Sequence, residues 1–258
     1  MSSATWLNPA GGLRYHLRAR RYSEHLWQPF RWALGEWLLR WEPPEKTLLL
    51  AGPSGGYNFQ PFLLERFDRV VCLEPDPIAR WIFRRRLAAA PLDKRPELTF
   101  IAEDHLVEHP ERLEPLLEQL GDVALLFSNV LGQLGALLGT TDPESPKLVR
   151  VREAVAAARA RRSWVSFHDR VSGSMRPAFE GMLVADHRLK DTEVISHAFP
   201  VDEGVSPGRD TELLDHLTAD FFPSELEHVY FSWELMPGIF HLIEGVAEVR
   251  SRPRTNGE

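Results

Sequence analysis

The sequence predicts a doubly wound α/β fold: a mostly parallel sheet, covered by helices on both faces, that ends in an antiparallel hairpin and carries a helical N-terminal cap. Three observations predict it. Apolar runs at 47–51, 69–74, 98–102, 122–128 and 163–167 alternate with helix-like segments near 57–67, 77–89, 109–120 and 147–162, the order that builds parallel strands with crossover helices. Residues 46–76 join an apolar run, a glycine-rich turn, a helical pattern and a second apolar run closing on Glu74. This is the sequence form of the first half of a nucleotide-type binding unit. Finally, Val229, Phe231, Trp233 and Leu235 alternate with His228, Tyr230, Ser232 and Glu234 before the turn Met236-Pro237-Gly238 and the apolar run 239–249, which reads as a half-buried strand turning into a second strand.

The N-terminal cap, residues 1–45, rests on the spacing of Leu26, Phe30, Ala33, Trp37 and Trp41, three or four residues apart as on one buried helix face. Pro29 suits the first turn of that helix, which must stop before Pro43-Pro44. Five of the eight tryptophans (6, 27, 32, 37 and 41) lie here, as expected of a helix packed on the main sheet. The same segment holds six arginines against two acids in residues 1–40. A second reading therefore has Arg14, Arg18, Arg20 and Arg21, with Tyr15 and His16, facing a pocket for an anionic substrate. Contact with RNA ranks third, because the run is short and carries no RNA-binding signature.

The main domain is expected to run from 46 to 250, with a substrate-side insertion at 171–225 rich in Gly, Pro and Asp turns, and a disordered polar tail at 251–258. A chain of 258 residues, 43% hydrophobic and 26% charged, suits one large globular domain. The formal charge of −7 argues against wholesale attraction to nucleic acid. Cys72 is the sole cysteine, which forbids an internal disulfide and fits a reducing compartment. No apolar stretch reaches membrane-spanning length and the N-terminus lacks a signal-peptide core, so a cytoplasmic location is expected.

In such sheets ligands bind beyond the carboxyl ends of the strands, so the residues just after each apolar run carry the functional reading. These are Ala51-Gly52-Pro53-Ser54-Gly55-Gly56, Leu73-Glu74-Pro75-Asp76-Pro77, Ile101-Ala102-Glu103-Asp104, and Phe127-Ser128-Asn129-Val130-Leu131-Gly132. Glu74 lies 19 residues after Gly55, close to the spacing of about 20 expected in dinucleotide-type units. In this order, and with the terminal hairpin, they resemble the class I S-adenosylmethionine-dependent methyltransferases, whose sheet has seven strands and ends in such a hairpin. The resemblance covers most of 46–169 plus 228–249. It implies S-adenosylmethionine as cofactor, with Ala51, Gly52, Ser54, Gly55 and Gly56 at its methionine moiety, Glu74 on the ribose hydroxyls and Asp104 on the adenine amine. Ile78 would add an apolar wall. Small residues let backbone approach a ligand, and a strand-end carboxylate accepts strong charge-assisted bonds. Asp76, just before Pro77, reads better as a helix cap.

The family usually carries an acid near the end of its first strand, where this chain has Leu49 and Leu50. That leaves weaker binding, another residue in the role, or a changed ligand. Transfer from a sulfonium is mainly a matter of alignment, and a base is needed only where the acceptor must lose a proton. Asn129, His168 and Asp169 are the candidate catalytic residues, and Arg14, Arg18 and Arg170 the candidate substrate-binding ones. His168 is the candidate base on its near-neutral pKa, or else a histidine that finishes a strand; its neighbour Asp169 points to the other side of any strand. Asn129, Gly132 and Gln133 either position an acceptor or satisfy a turn.

His241, inside an apolar run with Glu244 three residues on, reads as a satisfied histidine partnered by Glu244 or Arg170. No HExxH, paired-cysteine or calcium-loop spacing appears, and no metal is assigned. Gly-Pro-Ser-Gly at 52–55 is not a nucleophile elbow, and no Gly-Lys-Ser/Thr is present to cradle a triphosphate. The expected activity is methyl transfer to a small, anionic acceptor, with nucleic-acid and protein acceptors left open. The alternatives are a non-catalytic ligand-sensing or interaction relative, and a nicotinamide-dependent oxidoreductase, for which the spaced Gly-x-Gly-x-x-Gly is missing.

Overall fold

The structure, a computed structural model, describes residues 12–199 and 213–250. The tail at 251–258 lies outside the described residues, as do residues 1–11 of the cap and 200–212 of the insertion. Helices α1 (Gly12–Tyr22) and α2 (Gln28–Arg40) open the chain. The strands β1 (Thr47–Ala51), β2 (Arg69–Leu73), β3 (Glu97–Ile101) and β4 (Val123–Ser128) follow, all mutually parallel, with α3 (Pro77–Ala89) and α4 (Leu113–Leu120) between them. After β4 come α5 (Leu134–Leu138) and α6 (Pro146–Arg159), then β5 (Trp164–Gly173) parallel to β4. The remainder holds β6 (Met182–Ala185), α7 (Asp191–Ala198), β7 (Leu214–Asp215), β8 (His228–Met236) and β9 (Ile239–Glu248).

The sheet order is β3-β2-β1-β4-β5-β9-β8-β6, with β7 also paired to β5. Five parallel strands thus lead into the antiparallel β8–β9 hairpin, whose Gly238 turns the chain at φ +76°. The expected seven strands are all present, and the described residues of the 171–225 insertion add two more. The apolar runs alternate as strands covered on both faces must: Leu48, Leu50, Val70, Cys72 and Leu126 join the core under α2 and α3, while Leu49, Val71, Leu125 and Phe127 join the core under α4 and α6.

The cap crosses the hairpin. Phe30 stacks on Trp233 with ring centroids 5.0 Å apart, Trp27 meets Trp233 edge-on at 4.9 Å, and the Trp27 indole N–H donates to Leu235 O at 3.0 Å. A side chain at Gly245 would meet the Trp37 ring at 2.9 Å, so this glycine lets α2 lie close against β9. The aromatic stripe is therefore core, as its spacing predicts.

Three expectations need correction. The helix expected over 57–67 is a six-residue 3-10 turn, Pro61–Arg66. Tyr57, Asn58 and Phe59 are consecutive and all buried, a demand that one stripe of an α-helix cannot meet. Second, β5 runs on to Gly173 instead of stopping near 167, because β9 pairs along it from Glu248 to Phe240; His168, Asp169 and Arg170 are in-strand residues. Third, β8 is not half-exposed. Its His228 and Tyr230 are buried because the insertion covers that face, with Leu189, Val194 and Phe199 packed around Tyr230 and the Leu189 N–H donating to Tyr230 Oη at 2.8 Å. Among the described residues no helix is long and apolar enough to cross a membrane.

Candidate active site

Two adjoining cavities open at the carboxyl ends of the parallel strands, beside the β1/β4 boundary where the strand order reverses. The first, of about 180 Å³, is lined by Ala51, Gly52 and Ser54 after β1, Glu74 after β2, Asp104 after β3 and Ser128 ending β4. The second, of about 830 Å³, lies beyond it between β4, β5, β7 and the hairpin, and the two share Tyr15 and Gln133 as walls.

Glu74 is the best-defined group of the first cavity. Its Oε2 accepts from the Ser54 N–H at 2.8 Å and its Oε1 from the Asp76 N–H at 3.0 Å. Burial pushes its carboxyl up to about 7, against the opposing pull of those two amides. Asp76 caps α3, accepting from the Ile78 N–H at 2.8 Å, with His16 Nε2 3.5 Å away. Ile78, expected as an apolar wall, does not line the cavity; Ala79, Leu106 and Val107 are among its apolar lining instead. Asp104 lines the cavity while its Oδ1 accepts from the N–H groups of Leu106 (2.9 Å) and Val107 (2.7 Å). Ser128 Oγ is buried at the cavity wall and has no hydrogen-bond partner.

The glycine turn divides its work. Gly52 adopts φ +66°, and a Cβ there would sit 2.6 Å from Val130 Cβ, so no larger residue fits. The space before Gly55 and Gly56 is filled by Tyr57, Ile82 and Phe83. Neither glycine lines the first cavity; both admit protein side chains. Leu49 and Leu50 are fully buried in the two cores. Tyr15 and Asn58 supply polar groups on the cavity wall, with Tyr15 Oη–H donating to Asn58 Oδ1 at 2.9 Å. Asn58 was not singled out from sequence; its signal was a polar residue between aromatics just past the glycines.

In the second cavity Asn129, at φ +55°, clamps Asp169: its Oδ1 accepts from the Asp169 N–H at 2.8 Å and its Nδ2 donates to Asp169 Oδ2 at 3.1 Å. His241 Nδ1–H donates to Asp169 Oδ1 at 2.8 Å. Burial would raise the Asp169 carboxyl, but the facing His241 and His216 and the Asn129 amide hold it below its ordinary range. His216 enters from just after β7. Its Nδ1–H donates to Gly132 O at 2.8 Å, and its Nε2 lies 2.9 Å from Ser172 Oγ. Gly132 lets Asp169 of β5 lie against this turn, since a Cβ there would lie 2.5 Å from the Asp169 backbone nitrogen. The structure thus brings Asn129 and Asp169 together with Gln133 and Arg18, which also line this cavity. It adds His241 and His216. The Glu244 or Arg170 partnership expected for His241 is replaced by Asp169.

Other expected residues lie elsewhere. His168 points to the opposite face of β5, stacked on Phe222 at 5.4 Å and bonded to Ser166 Oγ at 3.0 Å; burial pushes its pKa down to about 4. Arg170 is on that face too, paired with Asp215 at 3.0 Å and with Asp191. Both surround Glu244, which is fully buried between Arg188 Nε (3.0 Å) and His228 Nδ1 (2.7 Å). Arg14 is exposed and lines neither cavity. The sheet's register explains the split. Asp169 pairs with Ile243 and His168 with Glu244, and a bulge between Asp169 and Val171 then puts Ser172, opposite His241, on the cavity side.

No family model matches the sequence, and no curated protein does. Solved structures of similar fold include the N-methyltransferase NodS of Bradyrhizobium japonicum in complex with S-adenosyl-L-homocysteine, 12% identical, with 92% of this chain and 99% of that one covered and a TM-score of 0.46. A methyltransferase of Anabaena variabilis described as dependent on S-adenosylmethionine is 17% identical with a TM-score of 0.40, and the match spans 60% of each chain. The fold itself, five parallel strands followed by an antiparallel hairpin with helices on both faces, is a Rossmann-like architecture.

Proposed function

We propose that the protein is an S-adenosylmethionine-dependent methyltransferase whose cofactor occupies the first cavity and whose acceptor, a small anionic molecule, enters the second. The observation that carries this reading is the buried Glu74 carboxylate facing a cavity at the strand-order switch, a cavity that shares two walls with a larger one. The residues fit the cofactor. Glu74 offers two acceptor oxygens for a diol, Ser128 Oγ is a buried hydroxyl awaiting a partner, and Asp104 stands where an exocyclic amine would lie. Tyr15 and Asn58 are suited to the amino-acid end that Leu49 and Leu50 leave without an acid.

The cofactor supplies a methyl group on a sulfonium, so the chain's task is to align an acceptor with it and exclude water. Tyr15 and Gln133, at the boundary of the cavities, fix where the two ligands meet. Arg18, on the wall of the second cavity, favours an acceptor of negative charge. Titrating the purified protein with S-adenosylhomocysteine by isothermal calorimetry tests the reading: saturable binding at one site supports it, and no heat from folded protein at millimolar ligand overturns it. The buried Leu49 and Leu50 favour a second reading, a ligand-sensing relative without turnover. Cofactor binding with no methyl transfer across a broad acceptor screen would select that one.

A further inference from the structure

Three donor groups converge on the second cavity from three separate segments: Asp169 of β5, His216 after β7 and His241 of β9, with one ligand atom of each lying within 4.8 Å of the others. Ligands around one divalent ion at about 2.1 Å are separated by about 3–4 Å, so the spacing is that of a coordination shell or a small closure from it. The 2.8 Å between Asp169 Oδ1 and His241 Nδ1 suits a hydrogen bond and equally suits two neighbouring ligands.

What surrounds these atoms points the same way. Histidine ligands commonly donate their other ring N–H to a carbonyl or carboxylate, and ligating carboxylates are hydrogen-bonded in turn. His216 Nδ1–H is committed to Gly132 O, which fixes the tautomer with Nε2 free to ligate and leaves only the mobile Ser172 hydroxyl in front of it. Asp169 Oδ2 is held by the Asn129 amide, which leaves Oδ1 facing the histidines. The His216 backbone N–H donates to Arg170 O at 3.2 Å, and the strained Asn129 backbone at φ +55° keeps its clamp in place. Beyond the three donors lies open cavity, where Trp233 presents a buried indole whose N–H has no partner.

We infer that Asp169, His216 and His241 form a binding site for a divalent transition-metal ion, with open coordination positions directed into the second cavity to take an oxygen of the ligand bound there. Two imidazoles and one carboxylate are a donor set for zinc, iron or cobalt and a poor one for magnesium or calcium, which prefer all-oxygen shells. The metal site stands on these residues alone; its role toward a methyl acceptor rests on the function proposed above.

Cobalt(II) is the probe, because its visible absorption reports nitrogen and oxygen ligation directly. The full-length protein, stripped with chelator, is titrated with cobalt chloride, then with zinc chloride in competition. The expected result is saturation at one equivalent, displacement by zinc, and at least about a tenfold loss of cobalt affinity in His216→Ala and in His241→Ala, since even outer-shell losses cost about that much. Thermal melts of each variant confirm folding. The inference is overturned if folded wild-type protein binds no cobalt at stoichiometry, or if both variants bind it as the wild type does. Asp169 and His241 would then act as a metal-free pair. Parallel titration with S-adenosylhomocysteine separates the two claims, because cobalt binding without the nucleoside sinks the cofactor reading alone, and the nucleoside without cobalt sinks the metal alone.

Discussion

The Ser54 N–H donates to Glu74 Oε2 at 2.8 Å, so the turn after β1 and the acid after β2 are one unit. Replacing Glu74 with Ala removes both the acceptor proposed for the ligand and the anchor of the turn. The loss of a charge-assisted pair of bonds is expected to weaken S-adenosylhomocysteine binding by about 1–3 kcal/mol, roughly five- to 150-fold. Calorimetric titration of E74A beside wild type reads it, and equal affinities would rule out the ribose role.

Because burial raises the Glu74 carboxyl from 4.5 to about 7, the folded protein binds more protons than the unfolded chain between those values. The sign follows: this group's contribution to stability falls as pH rises through that window. A ligand that bonds to the ionised carboxylate must displace the remaining proton, so nucleoside affinity should rise from pH 6 to pH 8. Calorimetry near pH 7 in buffers of different ionisation enthalpy should show net proton release, and E74Q should show none.

Glu244 is expected to behave in the opposite sense. Burial alone would raise its pKa, yet the His228 hydrogen bond and the Arg188 charge bring it down to about 2 from 4.5. Its stabilisation is present above pH 4.5 and is lost as pH falls towards 2. Glu244→Ala leaves Arg188 and His228 buried without their carboxylate and should cost about 3–5 kcal/mol. Urea unfolding at pH 7 measures this, and a change under 1 kcal/mol would contradict it.

Gly132→Ala places a methyl 2.5 Å from the Asp169 backbone nitrogen and 2.7 Å from its Cβ. Overpacking of this kind costs about 1–3 kcal/mol, and here it pushes on the residue that Asn129 clamps. Chemical denaturation should show the loss, and binding of cobalt in the second cavity should weaken with it. Gly139→Ala offers a control of a different kind, since nothing lies within 4 Å of its Cβ although its φ is +66°.

The parallel strands, the hairpin and the cap were legible because each rests on a local pattern: continuous apolar runs in β1, β2 and β4, alternation in β8, and a three-to-four spacing in α2. Glu74, Asp76 and Asp104 were legible because their positions follow strand ends. The second cavity was not, and the reasons are specific. His241 lies 72 residues from Asp169, so their meeting depends on β9 pairing antiparallel with β5, a register that no local pattern records. His216 sits in an insertion with little periodicity, brought in by the two-residue strand β7. His168 misled because its chemistry suits a base, whereas the strand's alternation sends it to the other face.

The bulge between Asp169 and Val171 makes β5 a strand whose sides change places part-way along its length. Ahead of it odd-numbered residues look toward the cap, and beyond it even-numbered Ser172 does. Were the same sequence paired without the bulge, Arg170 would stand opposite Leu242 and the apolar Val171 opposite His241. The lining of this chamber therefore depends on where the pairing slips by one residue as much as on which side chains the strand carries.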